Sequence, residues 1–285
     1  MENLVEKKYI IRLFYLIILV FGINAQQSKS NEEIVYIYNS ANNEYYSRNY
    51  QRALQLVNEV IESGIENQEF KMYFYSLRGL IYRRMERYHE AINDFDISLE
   101  LYPNIAVLYH YRSLAYEGLG RYRDALLDIN TAIELDSSTI NYYIERAAIY
   151  ISLGEYQNAL DDSDYLLSII PNFSKAYLIK ASVYSHIEEY EDQLFYINQA
   201  INLDPLNYEF YEFRGRTLGG AGDYLAALND LNISIGLNPD NAAVYNLRSI
   251  VLRNLAERAE NTAQREEYLE LSRRDVETYR RLSGL

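Results

Sequence analysis

Three histidines, His89, His110 and His186, are the only imidazoles in a chain of 285 residues that has no cysteine. A metal held on a helix needs two ligands on one face, as in His-Glu-x-x-His. These three are scattered too widely for that, and without thiolates there is neither a disulfide nor cysteine chemistry. Asp161, Asp162 and Asp164 could offer carboxylate oxygens to calcium, but no acidic twelve-residue loop frames them. They read as a solvated helix face. Gly219-Gly220-Ala221-Gly222 could cradle a phosphate only between a strand and a helix, and no segment alternates with period two for long enough to make a strand. Asn172-Phe173-Ser174 and Asn232-Ile233-Ser234 match a glycosylation acceptor, a pattern common by chance. The residues therefore predict no catalytic site, no cofactor, no metal and no small-molecule substrate. A binding protein is expected rather than an enzyme.

One ionic pattern does repeat. Arg78, Arg112, Arg146, Lys180, Arg214 and Arg248 form one column at a spacing of 34 residues, and Asp94, Asp128, Asp162, Tyr196 and Asp230 form a second. Where arginine weakens to Lys180, aspartate is lost to Tyr196, and beyond the register of the column Asp275 is available to Arg248. Covariation inside one chain predicts structural pairs, Arg78 with Asp94, Arg112 with Asp128, Arg146 with Asp162 and Arg214 with Asp230, because guanidinium and carboxylate match as a bidentate pair. The alternative is a ladder of arginines that binds an anionic ligand.

The elements that position these columns follow from the same spacing. All four prolines, Pro103, Pro171, Pro205 and Pro239, stand at separations of 68, 34 and 34 residues. Proline cannot continue a helix, so it marks where a repeating unit turns over. Units starting at Met72, Ala106, Ile140, Ser174, Tyr208 and Ala242 share further columns. The fourth residue is always tyrosine, from Tyr75 to Tyr245. The eighth is small (Gly79, Ser113, Ala147, Ala181, Gly215, Ser249), and the eleventh is Tyr82, Tyr116, Tyr150, Tyr184, Leu218 and Leu252. The seventeenth is Tyr88, Tyr122, Tyr156, Tyr190 and Tyr224, and the twentieth carries Ala91, Ala125, Ala159 and Ala227. Small residues let two helices approach closely, and large ones at the twenty-fourth place (Phe95, Ile129, Ile197, Leu231) fill the space beside them. The columns assign about half of the 31 tyrosines to packing.

A period of 34 with aromatic, small, aromatic, small and proline in that order resembles the tetratricopeptide repeat, a helix, a tight turn and an antiparallel helix. The resemblance implies an all-α, right-handed α-solenoid. Its units are expected at 34–71, 72–105, 106–139, 140–173, 174–207 and 208–241. A degenerate seventh unit and a polar capping helix follow over 242–285, and a short segment, 26–33, precedes the array. Within a unit, helix A takes roughly the first fourteen residues and helix B the eighteenth to the thirtieth, with Gly120, Gly154 and Gly222 at helix A exits. An insertion is expected in the loop around Glu66 to Phe70. The sequence reads as one elongated domain.

Ahead of the array, Lys7, Lys8 and Arg12 precede an apolar run from Leu13 to Phe21 and a small-residue end, Ile23-Asn24-Ala25. This pattern looks like a secretory signal peptide of bacterial kind over 1–25, cleaved after Ala25, because the run is shorter than the ~20 residues of a spanning helix. An uncleaved anchor in the inner membrane is the alternative. The expected location is the periplasm or outside the cell. A net charge of −14 repels nucleic acid and anionic lipid.

The resemblance also implies an inner face lined by helix A residues at the second, fifth, ninth and twelfth places. An apolar strip of Leu114, Ile144, Ala148, Ile151 and Leu178, flanked by His110, Asn141 and Lys175, is the expected partner site there. Arrays of this family that clamp a chaperone's C-terminal carboxylate carry lysine and asparagine at inner-face places, where this chain has Ser76, Leu80, Tyr111, Asn141 and Glu145. The expected function is therefore a scaffold for a protein or peptide recognised in another mode. A self-assembling envelope component is the alternative.

Overall fold

The computed structural model describes residues 28–284. The expected signal segment lies outside the described residues, and nothing among them is a strand. The chain forms two compact units, one running through Ser138 and one from Thr139 onward, where the sequence reads as one elongated domain. The first unit holds α1 (Ser28–Tyr46), α2 (Tyr50–Glu62), α3 (Gln68–Arg84), α4 (Tyr88–Leu101), α5 (Ala106–Gly118) and α6 (Tyr122–Leu135). The second holds α7 (Ile140–Leu153), α8 (Tyr156–Ile169), α9 (Ser174–His186), α10 (Tyr190–Leu203), α11 (Tyr208–Gly220), α12 (Tyr224–Leu237), α13 (Ala242–Glu257) and α14 (Thr262–Ser283). In each unit consecutive helices pack as pairs, and each pair packs on the next, making an all-α solenoid. No helix among the described residues is long and apolar enough to cross a membrane.

The hairpin turn is built the same way in six repeats. The fifteenth residue, Arg48, Glu86, Gly120, Gly154, Glu188 or Gly222, has a positive φ. The next amide returns to the carbonyl five residues earlier: Arg87 to Tyr82, Arg121 to Tyr116, Glu155 to Tyr150, Glu189 to Tyr184. This closes helix A with a left-handed residue and releases the chain antiparallel. The seventeenth-place tyrosine is then the first residue of helix B in every repeat that has one.

Two boundaries differ from the sequence reading. α1 begins at Ser28 rather than Ile34, because nothing between them breaks a helix, so most of the expected N-terminal segment is helical. α3 begins at Gln68 rather than Met72. The Asn67 side chain accepts from the Glu69 and Phe70 amides, and this cap turns the expected insertion loop into the helix's first turn. α14 is one helix from Thr262, started by the Asn261 side chain, which accepts from the Gln264 amide.

The small columns are where the helices touch. Ala91, Ala125, Ala159 and Ala227 are fully buried, as are Phe95, Ile129, Ile197 and Leu231 beside them. A Cβ built on Gly79 would stand 2.8 Å from Cε1 of the Phe95 ring. Gly79→Ala is therefore expected to destabilise the first unit by about 1–3 kcal/mol, the usual cost of overpacking. Urea unfolding of the single variant and of Gly79→Ala with Phe95→Leu checks this, and the smaller ring-free side chain should recover part of the loss.

Candidate functional site

The arginine column is occupied pair by pair. Arg78 donates Nε to Asp94 Oδ2 at 2.7 Å and Nη2 to Asp94 Oδ1 at 2.8 Å. Arg112 holds Asp128, Arg214 holds Asp230 and Arg146 holds Asp162 in the same fork. Arg248 reaches Asp275 across 27 residues instead of 16, since α14 supplies the partner that the displaced register removed. The aspartates are buried and the guanidiniums mostly so.

A further acceptor makes four of these forks links between repeats. The Nη1 of Arg78 donates to Asn58, that of Arg112 to Asp96, that of Arg214 to Asn198 and that of Arg248 to Asn232. All four acceptors occupy the twenty-fifth place of the preceding repeat, and Asp164 takes Lys180 in the same way. The rings complete the arrangement. Arg78 lies over Tyr75 and Tyr82, Arg112 over Tyr109 and Tyr116, and Arg146 over Tyr143 and Tyr150, at 5.0–5.9 Å to the ring centroids. Tyrosines three before and four after an arginine share its helix face, so the fourth, seventh and eleventh columns form a cation–π sandwich in these three repeats, while Arg214 and Arg248, with leucine at the eleventh place, keep only Tyr211 and Tyr245. Burial resists charge on both partners. In Arg112 it is outweighed by Asp128 and Asp96, which hold the guanidinium above its ordinary value; in Asp128 burial wins over Arg112, and the carboxyl sits above the usual range. With the guanidiniums of Arg78, Arg112, Arg214 and Arg248 committed to side chains of their own and the preceding repeat, these pairs form a structural lock.

The fifth repeat is the exception. Lys180 lies over the Tyr196 ring, and Tyr196 stacks on Tyr184 and Tyr177 in place of the ion pair that the repeats on either side make within themselves.

The expected inner strip is distributed differently from the sequence reading. His110 and Leu114 belong to the first unit, and neither offers a surface: His110 is buried on α5, and Leu114 packs against the hydrophobic core of its unit. In the second unit Leu178 packs against the Ala181–Ile197–Phe210 cluster. Ile144, Ile151 and Lys175 are half-buried, and Asn141 donates to Glu145. Ala148 is exposed, as are Arg216 and Ile250 at the same ninth place of later repeats. The row of ninth places in the second unit is what remains of the strip. Among the described residues no group of three or more metal-ligating side chains occurs.

His110 carries a pH dependence. Burial, reinforced by the Arg83 guanidinium, pushes its pKa down to about 3. The unfolded chain then takes up a proton below pH ~6.5 that the folded chain refuses, so stability falls with acidification through that window, by about 1.4 kcal/mol per unit at most. Between pH 7.5 and pH 5 the first unit is expected to lose about 2 kcal/mol from this group. His110→Gln should remove that part of the slope in urea titrations at the two pH values.

Two family models, both described as tetratricopeptide repeat, match residues 73–105 and 174–205, the second and fifth repeats. The fold is similar to the crystal structure of a tetratricopeptide repeat protein from Parabacteroides merdae, with a TM-score of 0.67 at 19% identity over 85% of this chain and 99% of that one. It is also similar to the C-terminal part of a TPR repeat-containing protein from Cytophaga hutchinsonii, at 0.57 and 14% over 85% and 98%. A third likeness is to MamA, at 0.50 and 19% over 58% and 94%. At such identities the likeness is one of fold. No curated protein matches the chain in sequence.

Proposed function

We propose that this tetratricopeptide repeat protein is a scaffold that presents helix A surface to a protein or peptide partner in the cell envelope or outside the cell. The carrying observation is the division of labour among the columns. The fourth, seventh, eighth, eleventh, twentieth and twenty-third places are consumed in locking and packing repeats, whereas three of the four ninth places of the second unit, Ala148, Arg216 and Ile250, are exposed, the fourth, Ser182, is half-buried, and all four differ in chemistry. A rigid framework with a variable exposed row suits display, in which a few anchors on a partner supply most of the affinity. Export is supported by the basic and apolar order of residues 7–25.

The test is affinity capture from an envelope fraction with the intact chain and with Ile144→Glu combined with Ala148→Glu, after matching their melting curves. The reading expects a partner that the intact chain retains and the double variant loses. Equal capture by both removes this surface from the function.

A further inference from the structure

The fifth repeat abandons the framework at a third place, and a cleft opens there. At the twentieth place, where five repeats bury alanine completely, stands Gln193, itself only 8% exposed. Its Nε2 donates to Thr217 Oγ1 on α11, and Thr217 Oγ1 donates in turn to the Phe213 carbonyl. This chain of donors fixes the amide with Oε1 as its free acceptor; no hydrogen bond is donated to it among the described residues. Gln193, Thr217, Tyr190, Phe213, Glu188 and Arg216 line a cleft of about 580 Å³ lying wholly inside the second unit, within the range of small-ligand pockets.

The charge around it is predominantly negative. Glu188 lines the cleft, and Glu189, Glu191 and Asp192 are exposed beside it on the turn and first residues of α10. Asp223 lies close enough to help burial raise the Tyr190 phenol. Arg216 does not offset them, since its Nη2 is bridged at 2.6 Å to Glu212 Oε1, whose other oxygen accepts from Asn241. The cleft thus offers two aromatic walls, one fixed amide oxygen and a carboxylate. An anion would meet this acidic rim, with the cleft's cation already paired to Glu212. A ligand with an apolar stem, N–H donors and positive charge satisfies all three elements: the stem and cation against Tyr190 and Phe213, a donor on Gln193 Oε1 and the charge on Glu188.

We propose that this cleft takes the lysine or arginine side chain of a basic peptide segment in the partner. This rests on the scaffold reading and names the chemistry of what is bound.

The experiment titrates the full chain with a capped glycine–serine peptide of about twelve residues carrying arginines, and with the same peptide carrying citrulline, which keeps the shape and loses the charge. Two variants are compared by calorimetry. Gln193→Ala leaves the protein's charge unchanged and restores the residue of the other repeats, so it separates the cleft from general attraction between a basic peptide and an acidic protein. Glu188→Gly removes the carboxylate and relaxes a left-handed residue. The proposal expects the arginine peptide to bind the intact chain, and citrulline, Gln193→Ala and Glu188→Gly each to weaken binding by about tenfold or more, a factor worth about 1.4 kcal/mol. No binding of the arginine peptide, or binding to Gln193→Ala within about twofold of the intact chain, overturns it. A natural partner that is lost on Ile144→Glu with Ala148→Glu but retained by Gln193→Ala would overturn the cleft alone and leave the scaffold reading intact.

Discussion

Arg112→Ala is expected to destabilise the first unit by about 3–5 kcal/mol, the cost of stranding a buried charge. The substitution removes the fork to Asp128, the Nη1 bond to Asp96 and the contact with the Tyr109 and Tyr116 rings in one step. It leaves Asp128, 5% exposed, without its cation and near a second carboxylate. The loss has a diagnostic pH dependence. Burial already holds the Asp128 carboxyl above its usual range against the pull of Arg112, and without that pull its folded pKa rises further above the unfolded value. A group raised in the folded state contributes most below its unfolded pKa and progressively less as pH rises toward the folded one. The difference between variant and intact chain should therefore be smaller near pH 4 than at pH 7, read by urea unfolding followed by circular dichroism. Arg121→Ala, which breaks the exposed pair with Asp124, is the control and should leave the curves superimposed.

Ending the chain at Glu260, ahead of α14, is expected to unfold the last repeat. Val251 and Leu255 cluster with Tyr268 of α14, and Leu252 and Ala256 are buried on the same helix. Re-exposing three large apolar side chains at about 1.5–3 kcal/mol each amounts to roughly 5 kcal/mol or more, comparable to the whole stability of a small domain. Arg248 also loses Asp275, and the Ser249 carbonyl loses the Ser272 hydroxyl. The intact α14 exposes Glu266, Glu267, Arg273, Arg274 and Arg281 to solvent. Hydrogen exchange should show protection collapsing over 242–257, with the truncated chain associating as its concentration rises. Unchanged protection there would mean that α14 is dispensable.

Much of this architecture is legible in the sequence because each repeat must solve one packing problem in one register. The alanine and proline columns mark helix contacts and turnovers directly, and the joint lapse at Lys180 and Tyr196 signals that two columns touch. Even the rescue of Arg248 by Asp275 follows from that logic. Other features are hidden by ordinary chemistry. Asn58, Asp96, Asn198 and Asn232 look like solvated helix residues, although they bind the arginines of the next repeat. The fourth and eleventh tyrosines fit a packing role so well that their i−3 and i+4 spacing about arginine goes unread. The strip is the least legible feature. Periodicity places His110 and Leu114 on a helix A face but does not say that the face is buried, and it does not reveal that the array divides after Ser138. The cleft has a signal, the missing alanine at 193, whose meaning appears only once Thr217 is beside it.

The arginine column holds the repeats together rather than awaiting a ligand, and everything else in the architecture depends on that. A double-mutant cycle on Arg78 and Asp94, with Arg78→Met, Asp94→Leu and both, measured by urea unfolding at pH 7, tests it most directly. The lock predicts that each single variant loses about 3 kcal/mol or more and that the double variant recovers most of it, a coupling of about 2 kcal/mol or greater. Single losses that simply add, with coupling near zero, would contradict it.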